Sequence, residues 1–168
     1  MALKWKNDMI KKKFGFYLEH VNSYQNRFYA IYFVDSLTGA LLLSKRYTLG
    51  NISLAKTDDD LIGNFLNAIN LFIKEIGNNK HEEIQEINFK DMRIIYEKKN
   101  RLICIAITEK SDINVERMIL HEILEDFYNR FEREIKFFKG YITPEIMDYV
   151  KRLDNLPLNY FFKSDFKL

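Results

Sequence analysis

The fragment closest to a catalytic signature is His121-Glu122-Ile123-Leu124-Glu125. A zinc-protease helix places two histidines at i and i+4, so that both face one metal, with a glutamate beside the first as general base. Here Glu125 stands where the second histidine is required. A carboxylate at that spacing is a chemically acceptable zinc ligand, but no third ligand is evident, because His20 and His81 lie in unrelated segments. A solvated helix face explains the pair more simply. A metal-dependent hydrolase using His121 and Glu125 is therefore the last of the alternatives.

Asp58-Asp59-Asp60 offers the hard oxygen atoms that magnesium prefers. Three successive helical residues point in different directions, however, and carboxylates in a first turn compensate the positive end of the helix dipole. The six glycines, at 15, 39, 50, 63, 77 and 140, stand singly and make no phosphate-cradling loop. No serine sits in a Gly-x-Ser-x-Gly elbow. The single cysteine, Cys104, lies inside Leu102-Ile103-Cys104-Ile105-Ala106-Ile107 and reads as a small buried hydrophobe. A lone cysteine excludes an internal disulfide and suits a reducing, cytoplasmic compartment. The expectation is a non-enzyme with no catalytic, cofactor-binding or metal-binding residue.

A length of 168 residues fits one domain able to bury a sizeable core without cross-links. Hydrophobic residues at 47% and charged residues at 30% exclude a disordered chain, and 15% aromatic residues imply a large core or an adhesive face. A net charge of +2 is too small to attract nucleic acid without local clustering. No segment has the apolar length of a spanning helix or the pattern of a secretory leader. Lys4, Lys6, Lys11, Lys12 and Lys13, interleaved with Leu3, Trp5, Met9, Ile10 and Phe14, form a basic amphipathic N-terminus. Such a segment is either an ordinary soluble helix or a peripheral contact with an anionic membrane.

The elements that would position these groups are clearer. Phe28–Val34 is β-branched, aromatic and unbroken, as a strand covered on both faces is. Asp35-Ser36-Leu37-Thr38-Gly39 supplies the turn, and Ala40 to Tyr47 returns antiparallel. Thr57 or Asp58 caps a helix whose apolar residues, Leu61, Ile62, Phe65, Leu66, Ile69, Phe72, Ile73 and Ile76, predict one buried stripe ending at Gly77. Strands follow over Ile84–Phe89, Met92–Glu97 and Arg101–Thr108, the last two joined by Lys98-Lys99-Asn100. Ser111-Asp112 opens a long helix, with Ile119, Leu120, Ile123, Leu124, Phe127, Phe131, Ile135 and Phe138 inward, stopped by Gly140. Its outward residues are expected to be Glu116, Arg117, Glu122, Glu125, Asp126, Arg130, Glu132 and Arg133. Thr143-Pro144-Glu145 starts a short helix through Leu153, closed by Pro157. Phe65, Phe72, Phe127 and Phe131 are expected between the helices and the sheet.

This α+β order, β-β-α-β-β-β-α-α around a five-stranded antiparallel sheet, resembles the longin domain from Arg27 to about Leu153. The residues that carry it are the Phe28–Val34 strand, the Asp35–Gly39 turn, the Leu61–Ile76 helix, the Met92–Thr108 hairpin and the Leu120–Phe138 helix. The related roadblock fold places a helix before the first strand, which residues 10–21 would have to supply. The division expected is a basic and aromatic extension at 1–26, a longin-like domain at 27–156 and an aromatic tail at 157–168. The resemblance implies a non-enzymatic interaction module: a scaffold or regulator of a small GTPase in a membrane-traffic or GTPase-signalling assembly. Its implied partners are a small GTPase or another longin or roadblock domain, in a homo- or heterodimer. The implied partner surface is the first helix, around Gly63, Asn64, Asn67, Ala68 and Lys74; the aromatic excess adds Phe161, Phe162 and Phe166 of the tail as candidates. A glycine inside a helix costs about 1 kcal/mol against alanine, so Gly63 signals a close approach, either of a partner or of the sheet. The alternative is a ligand-sensing domain of profilin-like three-layer architecture, with a pocket lined by surplus Phe and Tyr.

Overall fold

Every residue of β1 (Phe28–Asp35) is buried in the computed structural model, which describes residues 28–47, 59–77, 83–110 and 113–154. Burial of consecutive residues requires cover on both faces of the strand. That cover comes from α1 (Asp59–Ile76) on one side, and from α2 (Ile113–Lys136) and α3 (Pro144–Asp154) on the other. The remaining strands are β2 (Leu41–Arg46), β3 (Glu86–Asn88), β4 (Met92–Lys99) and β5 (Leu102–Glu109). They form one antiparallel sheet in the order β2-β1-β5-β4-β3. The fold is α+β with the longin-like order of elements that the sequence implies.

The first turn forms as its residues dictate. Asp35 Oδ2 accepts hydrogen bonds from the Thr38 backbone N–H at 3.0 Å and the Thr38 hydroxyl at 2.5 Å, and Gly39 takes φ +74°. At the other hairpin the strands run further than the composition suggests. β4 continues through Lys99, leaving only Asn100 and Arg101 as the turn, with Asn100 at φ 52°. Asparagine tolerates that left-handed conformation better than other non-glycine residues, so the tighter connection is accessible. β3 is shorter than the expected Ile84–Phe89.

The main core lies between the sheet and α2 and α3. Phe33 stacks on Phe127 with ring centroids 4.0 Å apart and planes 17° from parallel. Tyr149 of α3 meets Phe33, Phe127 and Phe131 edge-on at 5.8, 4.9 and 5.9 Å. Such edge-to-face contacts add to simple burial. Four of the aromatic side chains thus form one mutually packed cluster. Cys104 is fully buried, and burial pushes its thiol pKa well up.

α2 stops at Lys136, four residues before Gly140, and it leaves helical geometry at Phe131 (φ −122°, ψ 24°). Arg101 reaches the departing chain, donating to the carbonyls of Lys136 at 3.4 Å and Phe138 at 3.1 Å. The Lys136 carbonyl is one that the helix end leaves without an internal donor, and the Phe138 carbonyl belongs to the segment that follows. Glu116, expected on the outward face, is completely buried. Its carboxylate accepts from the Thr108 hydroxyl at 3.2 Å and lies 3.5 Å from the Arg93 guanidinium, so the charge is compensated where the helix turns it inward.

Gly63 lies against the β1–β2 turn. A Cβ there would lie 2.8 Å from the Gly39 carbonyl oxygen, so the close approach is between α1 and the β1–β2 turn. Gly63→Ala should therefore lower the thermal midpoint, although helix propensity alone favours alanine by about 1 kcal/mol. A raised midpoint would show that the turn yields to the methyl group.

Candidate functional site

Two places bear on function: the α2–β4 seam, where the histidine motif lies, and the outer face of α1. In the seam, His121 Nδ1 is 3.8 Å from Glu97 of β4, and Lys99 Nζ donates to Glu125 at 2.5 Å. Arg117 bridges β3 and β4, at 2.9 Å from Glu86 and 3.9 Å from Glu97. His121 and Glu125 are thus taken up in ion pairs with β4 rather than lying on a freely solvated face. Among the described residues, no group of three or more His, Cys, Asp and Glu is placed to hold a metal.

Hydrogen bonding to Glu97 raises the His121 pKa above its ordinary 6.5, against the opposing effect of partial burial, with Glu122 and Glu125 assisting. A raised folded-state pKa gives stability that is fully present below the unfolded value and is lost as pH rises through the folded one. Both pairs are substantially exposed, and such bridges contribute about 0–1 kcal/mol. His121→Ala and Glu125→Ala should each change unfolding free energy by no more than about 1 kcal/mol. For His121→Ala the change should fade above neutral pH. Urea titrations across the pH range check this, and a larger loss would make the seam a structural keystone.

α1 is a different surface from the one expected. The eight apolar residues do not form one buried stripe. At about 100° per residue they cover an arc of roughly 140°, which is wider than one sheet contact. Leu66 is buried, and Ile62, Ile69 and Ile73 are partly buried, on the side that meets Ala30, Tyr32, Val34 and Ile105. The adjoining side faces outward: Leu61 is 57% exposed, Phe65 42%, Phe72 63% and Ile76 64%. Phe65 and Phe72 are therefore corrected from core to surface, whereas Phe127 and Phe131 are buried as expected. The arc width was the signal available in the sequence, and Leu61, Phe65, Phe72 and Ile76 are the surface residues that the single-stripe reading missed.

Of the implied partner residues, Asn64, Asn67 and Ala68 are exposed and Gly63 is buried beneath them. Lys74 is placed by its backbone alone. Phe161, Phe162 and Phe166, the basic N-terminal lysines, and the expected caps at Thr57–Asp58 and Ser111–Asp112 lie outside the described residues. Beside α1, the sheet face presents the partly buried Ile94, Tyr96, Ile103 and Ile107. Burial pushes the Tyr96 phenol up to about 12. No helix among the described residues is long and apolar enough to cross a membrane.

No protein-family model matches the chain, and no curated protein matches it. Among solved structures, it is similar to Myxococcus xanthus MglB with a TM-score of 0.46 and 14% sequence identity. That match covers 79% of this chain and 97% of the other. At this level of likeness nothing of that protein's activity is carried over to this one.

Proposed function

We propose that this chain is a longin-type interaction module, a scaffold or regulator of a small GTPase in a membrane-traffic or GTPase-signalling assembly. The observation that supports an interaction role is the outer face of α1. Five large apolar side chains, Leu61, Phe65, Leu71, Phe72 and Ile76, stand in water along one helix, beside a sheet face that is itself only partly covered. Contiguous exposed apolar surface of this kind marks association sites, because its burial is what a partner contributes. The GTPase connection comes from the longin order of elements alone.

The test uses the purified full chain against a panel of small GTPases loaded with GDP or a non-hydrolysable GTP analogue, measured by calorimetry. The expected result is binding that prefers one nucleotide state. A second arm deletes residues 158–168, where Phe161, Phe162 and Phe166 are candidate contacts, and is expected to weaken that binding. Binding to no GTPase, with nucleotide release and hydrolysis unchanged, would remove the reading.

A further inference from the structure

Arg101 draws three connections to one end of the molecule. Its backbone carbonyl accepts from the Ser36 N–H at 2.8 Å, while its guanidinium holds Asp35 and donates to the carbonyls of Lys136 and Phe138. The β1–β2 turn, the β4–β5 turn and the segment between α2 and α3 therefore share one pole. That pole carries large apolar side chains in water: Leu37 is 75% exposed, Phe137 63% and Tyr141 72%.

Their exposure is built into the chain path. Phe138 is buried and Ile142 packs against the main core, so the α2–α3 segment is pinned at two points, and the residues just before them, Phe137 and Tyr141, are left outside. Gly140 makes the bend between them at φ +97°. Lys136 Nζ lies 5.7 Å from the Phe137 ring centroid, and Arg133 and Glu134 line an open hollow beside the same ring. From Lys136 to Thr143 the chain holds two exposed lysines, Lys136 and Lys139, and no acidic residue. Glu145 follows only at the start of α3.

Aromatic rings at a loop tip, flanked by cations on long apolar stems, match the boundary of an anionic bilayer. The rings sit at headgroup depth, and the lysine stems lie along the apolar layer with their charges at the phosphates. A peptide would need a groove, whereas these side chains project from two separate connections and can be met together by one broad surface. We propose that this pole is a peripheral membrane contact that takes an anionic lipid surface through Leu37, Lys136, Phe137, Lys139 and Tyr141. It goes beyond the GTPase reading, and neither depends on the other.

The test mixes the full chain with sedimentable vesicles of phosphatidylcholine alone, or of phosphatidylcholine and phosphatidylserine in equal parts. Binding to the second kind only, weakening as salt is raised, is the expected result. Each lysine near an anionic surface contributes roughly a fivefold gain, so Lys136→Ala with Lys139→Ala should weaken binding about 25-fold. Phe137→Ser with Tyr141→Ser should weaken it at unchanged charge. Both double variants alter exposed side chains and should keep the wild-type thermal midpoint.

An environment-sensitive dye then fixes the orientation. On Tyr141→Cys its emission should move to the blue with anionic vesicles. On Lys90→Cys, exposed at the other end of β4 and roughly 25 Å away by strand length, it should not. Cys104 is buried, and the unsubstituted chain controls for any labelling of it. Absence of binding to anionic vesicles overturns the proposal, and so does an equal dye shift at the two positions. Binding that survives both double variants but is lost on Lys11→Glu with Lys12→Glu and Lys13→Glu overturns it in favour of the N-terminus. Equally tight binding to soluble polyglutamate, with no dye shift on vesicles, overturns it in favour of an acidic protein partner.

Discussion

Phe127→Ala should destabilise the protein by about 3–5 kcal/mol, the range found when a large buried aromatic is truncated and its site cannot collapse. Phe127 is fully buried, stacks on Phe33 at 4.0 Å and receives the edge of Tyr149 at 4.9 Å, with Phe131 tilted against it at 4.9 Å. Its removal therefore opens a void touched by β1, α2 and α3 together. None of the three can move in without breaking a second contact. Tyr149 is also tied by its hydroxyl to Asp126 at 2.8 Å, and Arg152 holds the same carboxylate at 2.7 Å, so α3 resists closing over the gap. For a chain of this size the loss corresponds to a fall in midpoint of about 10 °C or more. Phe72→Ala is the matched control. Its ring is 63% exposed, so truncation should cost well under half as much. Equal losses at the two positions would show that α1 is buried in solution by something that this chain supplies itself.

The contrast between those two phenylalanines shows what the sequence could and could not reveal. Phe127 and Phe72 sit in equally regular helical patterns, and periodicity tells only that a face is apolar. It does not tell whether that face meets the parent sheet or a separate molecule. β1 was legible because the seven unbroken apolar and aromatic residues Phe28–Val34 have few other fates, and the turn was legible because Asp35, Thr38 and Gly39 each contribute a local reason. Local chemistry also explains the longer β4, once Asn100 is allowed its positive φ. Glu116 was not legible. Its burial depends on Arg93, on a strand more than twenty residues away, and on Thr108, and no window along the chain contains all three. The seam was half legible: the i, i+4 spacing of His121 and Glu125 was visible, but their partners Glu97 and Lys99 arrive only through the pairing of α2 with β4.

The second large effect is expected at Arg101, and it is likewise a long-range feature. Its guanidinium holds Asp35 through Nε at 2.5 Å and a second nitrogen at 3.1 Å, while also donating to the carbonyls of Lys136 and Phe138. One side chain thus joins the β1–β2 turn, the β4–β5 turn and the end of α2. The Asp35 side chain is 1% exposed. Arg101→Ala leaves that carboxylate with only the Thr38 bonds and unties three segments at once, so a clear fall in the thermal midpoint is expected. Arg101→Lys keeps a charge but not the two-pronged geometry, and should fall between the two.

The pH dependence separates this electrostatic loss from a packing defect. Burial alone would push the Asp35 pKa up, but hydrogen bonds from Arg101 and Thr38 outweigh it and hold the pKa below the ordinary 3.8. A depressed folded-state pKa gives stability that is present above the unfolded value and is lost as pH falls through the folded one. In Arg101→Ala the outweighing bonds are largely gone, so that acid-sensitive increment is missing from the start. Asp126, held low by Arg152 and Tyr149 in both proteins, cancels from the comparison. The difference in unfolding free energy between wild type and Arg101→Ala should therefore shrink as pH is lowered from about 7 to about 3. Denaturant titrations at several pH values measure it directly. A difference that stays constant over that range would mean that Arg101 acts by filling space between the three segments and not by holding the Asp35 charge.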